Sequence, residues 1–202
     1  AQLPQGLFTA PVSEGSNEVF KFPFSNLTAN FSYFNRIFSV ESAQTDIFAG
    51  KVVASGQVDI NKEPIGFNFS TRLNQVETSE FLKENSSMKN ALRGGVDGSA
   101  NISGNVTGLN SINGAASLLM KKGAYTSPPV VQKICEQLNA MHLASGTIEN
   151  LSGDYNIANG RISSKNTMAK SKDGKMIYTG SVGLDTTLDG TLTLEINRAA
   201  CQ

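Results

Sequence analysis

From Phe22 onward, apolar residues recur at every second position. The pattern runs through Ala29-Asn30-Phe31-Ser32-Tyr33, through residues 51–60, and through Gly66-Phe67-Asn68-Phe69-Ser70. A period of two sends successive side chains to opposite faces, so these segments read as strands with one apolar and one polar face. Residues 96–108 repeat the pattern with smaller groups. Val96, Gly98, Ala100, Ile102, Gly104, Val106 and Gly108 share one phase, and Asp97, Ser99, Asn101, Ser103, Asn105 and Thr107 the other. The glycines weaken this strand or mark a bend in it. Composition agrees, because 22 Ser, 14 Thr, 19 Asn and 19 Gly in 202 residues disfavour long helices and suit short strands with tight turns. Hydrophobic residues at 39%, with eleven Phe, are enough to sustain a core.

Four dipeptides, Asn113-Gly114, Asn159-Gly160, Asp173-Gly174 and Asp189-Gly190, carry the chemistry of tight hairpin turns. The expected fold is therefore mainly β, an antiparallel meander. Residues 1–21, with Pro4, Gly6, Pro11 and Gly15, read as an irregular lead-in. Two short helices are expected to cap the sheet. One lies within residues 78–92, with Leu82, Met88 and Leu92 spaced for one face and Gly94-Gly95 ending it. The other begins at Pro128-Pro129, carries Val130, Val131, Ile134, Leu138 and Met141 on one stripe, and ends before Gly146.

The chain also repeats itself. Placing Asn26 on Asn150, a shift of 124, aligns some 45 residues without a gap. Phe31 meets Tyr155, Tyr33 meets Ile157 and Asn35 meets Asn159; Gly56, Val58 and Ile60 meet Gly180, Val182 and Leu184. Gly66 then falls on Gly190, and Phe69 on Thr193. A duplicated unit covering about 24–73 and 148–197 is expected, around a central strand and helix segment, within one domain at 22–197.

The titratable residues outline few chemistries. Lys+Arg and Asp+Glu are equal at 17 each, which leaves no basic footprint for nucleic acid. One His and two Cys are too few for a four-ligand zinc site. No Gly-x-Ser-x-Gly elbow accompanies His142, and no P-loop lysine follows the glycines at 94–108, so no enzyme, metal or cofactor is expected. Asp185 to Gly190 lacks calcium-loop spacing. Seven Asn-x-Ser/Thr sites, at Asn26, Asn30, Asn68, Asn85, Asn101, Asn105 and Asn150, arise readily from so Asn- and Ser-rich a chain. Cys135 and Cys201 either remain thiols or, in an oxidising compartment, pair in a bridge worth about 4 kcal/mol. No stretch approaches the roughly 20 apolar residues of a membrane-spanning helix.

What remains is apolar strand surface. Phe31, Tyr33, Phe67, Phe69, Ile102, Val106, Leu118, Tyr155, Ile157, Tyr178, Val182, Leu184, Leu192, Leu194 and Ile196 exceed what anchoring two short helices needs. They form either an ordinary core or the lining of an open groove that accepts acyl chains.

The stretch from Asn150 to Ile162 and the stretch from Tyr178 to Leu194 resemble the C-terminal region of the AsmA family. So do Asp46-Ile47-Phe48-Ala49-Gly50-Lys51-Val52 with Gly56-Gln57-Val58-Asp59-Ile60, although Phe and Ala stand where that family has Tyr and Gly. Gly98 to Gly104, followed by Asn113-Gly114 and by Lys122-Gly123-Ala124-Tyr125, is similar to its central meander. The resemblance covers about residues 22–197. It implies a strongly curved, half-open β-groove with capping helices, similar to the chorein-type and TamB-like bridge proteins. It further implies a place in the periplasm of Gram-negative bacteria, tethered to the inner membrane by an anchor outside this chain. There the groove would bind or guide phospholipid or other acyl-chain lipid between membranes, support outer-membrane assembly, and continue into neighbouring β-groove segments of the same protein. The family offers no catalytic residue to carry over. The competing expectation is a structural or adhesive β-rich surface module without lipid cargo.

Overall fold

A computed structural model describes residues 2–11, 19–86, 89–127, 129–137, 141, 144–183 and 187–197. Strands β1 (Gln2–Pro11), β2 (Val19–Phe34), β3 (Ile37–Ile47), β4 (Gly50–Asp59) and β5 (Gly66–Glu77) form the first half of a meander. Helix α1 (Thr78–Asn85) and β6 (Leu92–Arg93) precede the central strand β7 (Gly95–Asn105). A 3₁₀ turn (Leu109–Ser111) leads to β8 (Asn113–Met120). Then come β9 (Gly123–Thr126), α2 (Pro129–Gln137) and β10 (Ser145–Ile148). The chain returns through β11 (Asn150–Ala158), β12 (Arg161–Lys170), β13 (Gly174–Gly183) and β14 (Leu188–Ile196).

Eleven strands make one antiparallel sheet in the order β1-β2-β3-β4-β5-β7-β8-β11-β12-β13-β14, and it does not close into a barrel. A second sheet, β10-β9-β6, sits at one end of the first. The stretch expected as an irregular lead-in differs: β1 pairs with β2 from Gln2 opposite Thr28 to Pro11 opposite Val19. A strand with two prolines is tolerable here because β1 lies at the sheet edge, with only one side needed for a ladder.

Backbone features of the two strand runs recur at the 124-residue shift. Displacing β4 by 124 residues gives the bounds of β13 at both ends. On β3 the register with β4 shifts between Val40 and Ala43, and on β12 the register with β13 shifts between Ser164 and Thr167, again 124 residues apart. The β2–β3 turn holds Asn35 and Arg36 at φ 49° and 59°, and its counterpart holds Asn159 and Gly160 at 52° and 69°. These are the positive φ values of a two-residue hairpin turn. The correspondence slips at the last strand. Gly56 lies opposite Phe69, but its counterpart Gly180 lies opposite Gly190, so Phe69 matches Gly190 rather than Thr193.

Two of the four turn dipeptides are not turns. Asn113-Gly114 opens β8 and Asp189-Gly190 lies within β14. Their glycines serve close approach. A Cβ at Gly114 would stand 2.2 Å from the Asn101 carbonyl oxygen, and one at Gly190 would meet the Tyr178 ring at 2.6 Å. Close approach of the neighbouring strand at Gly114, and of the Tyr178 ring at Gly190, accounts for these placements better than a bend does.

The buried core gathers at one end. Phe24, Phe48, Met120, Cys135, Ala144 and Ile148 are buried there, Met120 at 1% exposure. Helix α1 brings Phe81 edge-on to Phe48, with centroids 5.5 Å apart, and 6.2 Å from Phe22. Its N-terminus is held by Glu77, whose carboxylate accepts from the backbone N–H groups of Ser79 at 3.2 Å and Gly94 at 2.7 Å. Its last residue, Asn85, donates to the Lys21 carbonyl of β2 at 2.9 Å. The helix is shorter than the 78–92 expected, since Ser86 is already extended. In α2, Pro129 occupies the first turn, where a missing N–H costs nothing.

Candidate functional site

Strand registers decide which side chains share a face. One row across the sheet reads Phe31, Val40, Gly56, Phe69, Ile102, Gly114, Ile157, Ile162, Val182 and Leu188, each paired with the next. The row above it reads Tyr33, Phe38, Val58, Phe67 and Gly104. The row below is small: Ala29, Ala43, Ala54, Thr71, Ala100 and Ala116, then Tyr155, Ser164, Gly180 and Gly190. Beneath it lie Thr45, Val52, Leu73, Gly98, Leu118 and Gly153, and on the far strands Thr167, Tyr178 and Leu192. Met120, Leu151, Ala169, Met176 and Leu194 make a further row. No position in these rows carries a charged residue.

The bulges keep this face continuous. Val40 and Ala43 are three residues apart, so regular alternation would send Ala43 to the other side. One extra residue in β3 restores the phase, and the bulge between Ser164 and Thr167 does the same in β12.

The fifteen sequence-predicted residues come together largely as one surface. Phe31, Tyr33, Phe67, Phe69, Ile102, Leu118, Tyr155, Ile157, Tyr178, Val182, Leu192 and Leu194 all fall on it, and Ile196 shares its register opposite Gly174. Val106 continues the phase just past β7, its N–H donating to the Ile65 carbonyl at 3.1 Å. Leu184 lies outside the described residues, as do His142 and Cys201. Cys135 is buried in α2, away from this face.

The reading of these residues as an ordinary closed core does not hold. Tyr33 is 63% exposed, Phe31 56%, Leu192 61%, Leu194 58%, Val182 41% and Leu118 38%. Of the apolar side chains on this face, only Phe24 and Met120, where α1 and the small sheet lie, are buried among the described residues; Ser164 and Gly153 beside Tyr155 are buried as well. At the opposite end the connections are the 35–36 turn, residues 60–65, residues 106–112 and the 159–160 turn, and no helix of four or more residues stands there among the described residues.

The other face is polar and laterally bonded. Ser70 donates to Asn101 Oδ1 at 2.6 Å, and the Ser99 and Ser117 hydroxyls lie 3.1 Å apart. Lys175 faces Glu195 at 3.2 Å, and Lys51 faces Asp46 at 3.8 Å. Asp97 sits below the ordinary aspartate range because the Gln75 backbone N–H, at 3.0 Å, and the Gln75 side-chain amide both donate to it. That pair pins the irregular step of β5, where Gln75 has φ 50°. Phe34, Ile37, Val53, Leu119, Met168 and Ile177 are the larger apolar exceptions on this side among the described residues.

Sequence alternation found the apolar face but missed its row of small residues, which only strand register assembles. Two shallow cavities lie elsewhere, one of about 300 Å³ beside α2 at Gln132, Lys133 and Glu136, the other of about 470 Å³ at Asp46, Lys51, Asn74 and Gln75. Polar and charged residues outnumber apolar ones around both. Among the described residues no cluster of three His, Cys, Asp or Glu could hold a metal ion, and no helix is long and apolar enough to cross a membrane. Comparison with protein-family models, with curated proteins and with solved structures finds no match to this chain.

Proposed function

We propose that the uncovered apolar face holds lipid acyl chains, and that the chain is a β-groove domain of the kind found in the AsmA family. One observation carries the reading: an uncharged apolar face extends across ten strands, and away from the end that α1 and the small sheet cover, nearly all its side chains are exposed or only half-buried. The 39 positions of the five rows, at about 4.8 Å between strands and about 6.8 Å along them, span roughly 1,300 Å² of sheet. Ordinary monomers keep their largest apolar patch to about 300–600 Å², so this surface has an occupant in its working state.

The dimensions suit an extended hydrocarbon. The Ala29-to-Ala116 row is a furrow of small residues crossing six strands, roughly 24 Å long at the usual strand spacing. It is flanked by taller rows containing Phe31, Phe69 and Ile102 on one side and Leu73 and Leu118 on the other. An acyl chain laid across the strands there meets no charge. Each methylene it buries contributes about 0.8 kcal/mol before the entropy of ordering the chain. The Tyr33 end is uncapped and lets the polar head remain in water.

In this reading the domain is periplasmic, is tethered to the inner membrane through segments beyond these residues, and guides phospholipid chains toward the outer membrane. The sheet curls about its apolar side in that state, with the paired bulges as the bending points. A structural or adhesive module would instead close its strands on each other, and the exposed face argues against it.

Native mass spectrometry of protein purified without detergent tests the proposal. Bound phospholipid is expected on the unmodified chain and its loss is expected in Leu118→Asp and Leu192→Asp, with the circular dichroism unchanged. Protein that is free of lipid and takes none up from phosphatidylethanolamine vesicles would sink it.

A further inference from the structure

Set against its counterpart at the 124-residue shift, the sheet has one position beside β14 unfilled among the described residues. Strands β5 and β14 hold equivalent places beside β4 and β13: Phe69, Thr71 and Leu73 lie opposite Gly56, Ala54 and Val52, as Gly190, Leu192 and Leu194 lie opposite Gly180, Tyr178 and Met176. The far side of β5 is occupied by antiparallel β7, with Phe69 opposite Ile102, Thr71 opposite Ala100 and Leu73 opposite Gly98. The far side of β14 carries no strand among the described residues.

The free edge offers the same bonding groups as its counterpart. Gly183 donates to the Thr187 carbonyl and Asn197 to the Asp173 carbonyl, so odd positions of β14 bond toward β13. In an antiparallel ladder the alternate positions then point away, which sends the N–H and C=O groups of Gly190, Leu192 and Leu194 outward. In β5 the odd positions point toward β7, as the Val106 bond to Ile65 shows. The two edges therefore share donor and acceptor order. Residues 189–195 are exposed throughout. The β14 sequence, LDGTLTLEI, also lacks the proline and lysine that commonly blunt edges, whereas β1 at the other edge has Pro4 and Pro11.

We propose that the free edge of β14 is a strand-addition site for an extended segment patterned like β7, with small apolar residues alternating with Ser or Asn. The segment runs antiparallel to β14, places its small apolar positions opposite Gly190, Leu192 and Leu194, and widens the apolar face by one strand. Backbone bonds supply the affinity and the alternation supplies the register. This rests on the ladder and not on lipid, so lipid-free protein shows the same binding.

The test uses the full chain and a labelled peptide of the sequence GVDGSANISGN, which is that of β7. Fluorescence anisotropy is expected to show saturable binding, and a scrambled peptide none. Leu194→Pro removes an outward N–H while sparing the bonds to β13, and is expected to weaken binding at least about tenfold. Leu194→Ala keeps the donor and is expected to stay within about threefold of the parent. Hydrogen exchange on the unmodified protein reads the same site without a variant: the amides of Gly190, Leu192 and Leu194 become protected when peptide is added. Equal binding of the scrambled peptide, unchanged exchange at these amides, or Leu194→Pro binding like the parent overturns the proposal. Self-association that Leu194→Pro abolishes, with no peptide bound, overturns it in favour of a second copy.

Discussion

Charging the apolar face separates an open surface from a core, and the structure sets the size of the effect. Leu192 is 61% exposed, so only the remaining 39% of its surface is sheltered. Full burial of a leucine is worth about 1.5–3 kcal/mol, which limits the loss in Leu192→Asp to about 0.6–1.2 kcal/mol. Aspartate's poor fit to strands adds at most about 1 kcal/mol. Met120 on the same face is 1% exposed, beneath Gly94 and Gly123. Met120→Asp loses a buried side chain at about 2–5 kcal/mol and leaves an unpaired carboxylate in an apolar site, at a cost of several more. That sum approaches the entire stability of an ordinary domain. Urea titration followed by circular dichroism is the assay. Leu192→Asp is expected to move the midpoint by less than about 1 M, and Met120→Asp to yield little folded protein. Should the two substitutions destabilise alike, Leu192 belongs to a closed core and the argument from exposure fails.

Other perturbations probe the framework around this face. A Cβ at Gly180 would stand 2.3 Å from the Asp189 carbonyl oxygen and 2.6 Å from the Tyr178 hydroxyl. Gly180→Ala is therefore expected to cost about 1–3 kcal/mol, read as a fall of about 2–4 °C in Tm per kcal/mol; an unchanged Tm would show that the ring and backbone yield freely. Burial pushes the Glu77 carboxyl up, but N–H donation from Gly94 and Ser79, with the Ser79 hydroxyl and the nearby Arg93 charge, brings it below its ordinary 4.5. Its contribution is then complete above pH 4.5 and disappears as the pH falls through the lower folded value, so Glu77→Gln should flatten the acid side of the stability profile. At neutral pH the same change is expected to cost about 0.5–1 kcal/mol, the low end for a helix cap, because solvent reaches the carboxylate. Parallel acid profiles for parent and variant would remove Glu77 from that role.

Alternation made the strand faces legible because a side-chain period of two is written directly in the order of residues. It placed Phe31, Phe69, Ile102 and Leu192 on one face without reference to how the strands pair. The correspondence of the two strand runs was legible through β13 for the same reason. It slipped at β14 because residues 60–65 and residues 184–187 make connections of different length, and a gapless alignment absorbs that difference in the following strand. Asn113-Gly114 and Asp189-Gly190 misled because a glycine pressed by a neighbouring strand or ring and a glycine in a turn look the same in one dimension. The irregular reading of residues 1–21 weighed prolines as breakers, which at an edge they are not. Whether the apolar face was covered could not be read from composition, since core and open groove are built from the same residues; exposure alone distinguishes them.

The strand count has a consequence for assembly. With eleven strands and every neighbouring pair antiparallel, the first and last strands of the large sheet run in the same direction. Head-to-tail joining of copies would require a parallel seam between β14 of one and β1 of the next, foreign to every other seam in the molecule. Antiparallel joining with the apolar face kept on one side pairs like with like, β14 with β14 or β1 with β1, each about a two-fold axis, and a row of copies grows only if both edges join. Because Pro4 and Pro11 blunt β1, this greasy, open-edged sheet is limited to pairing through β14 and does not grow into a fibre.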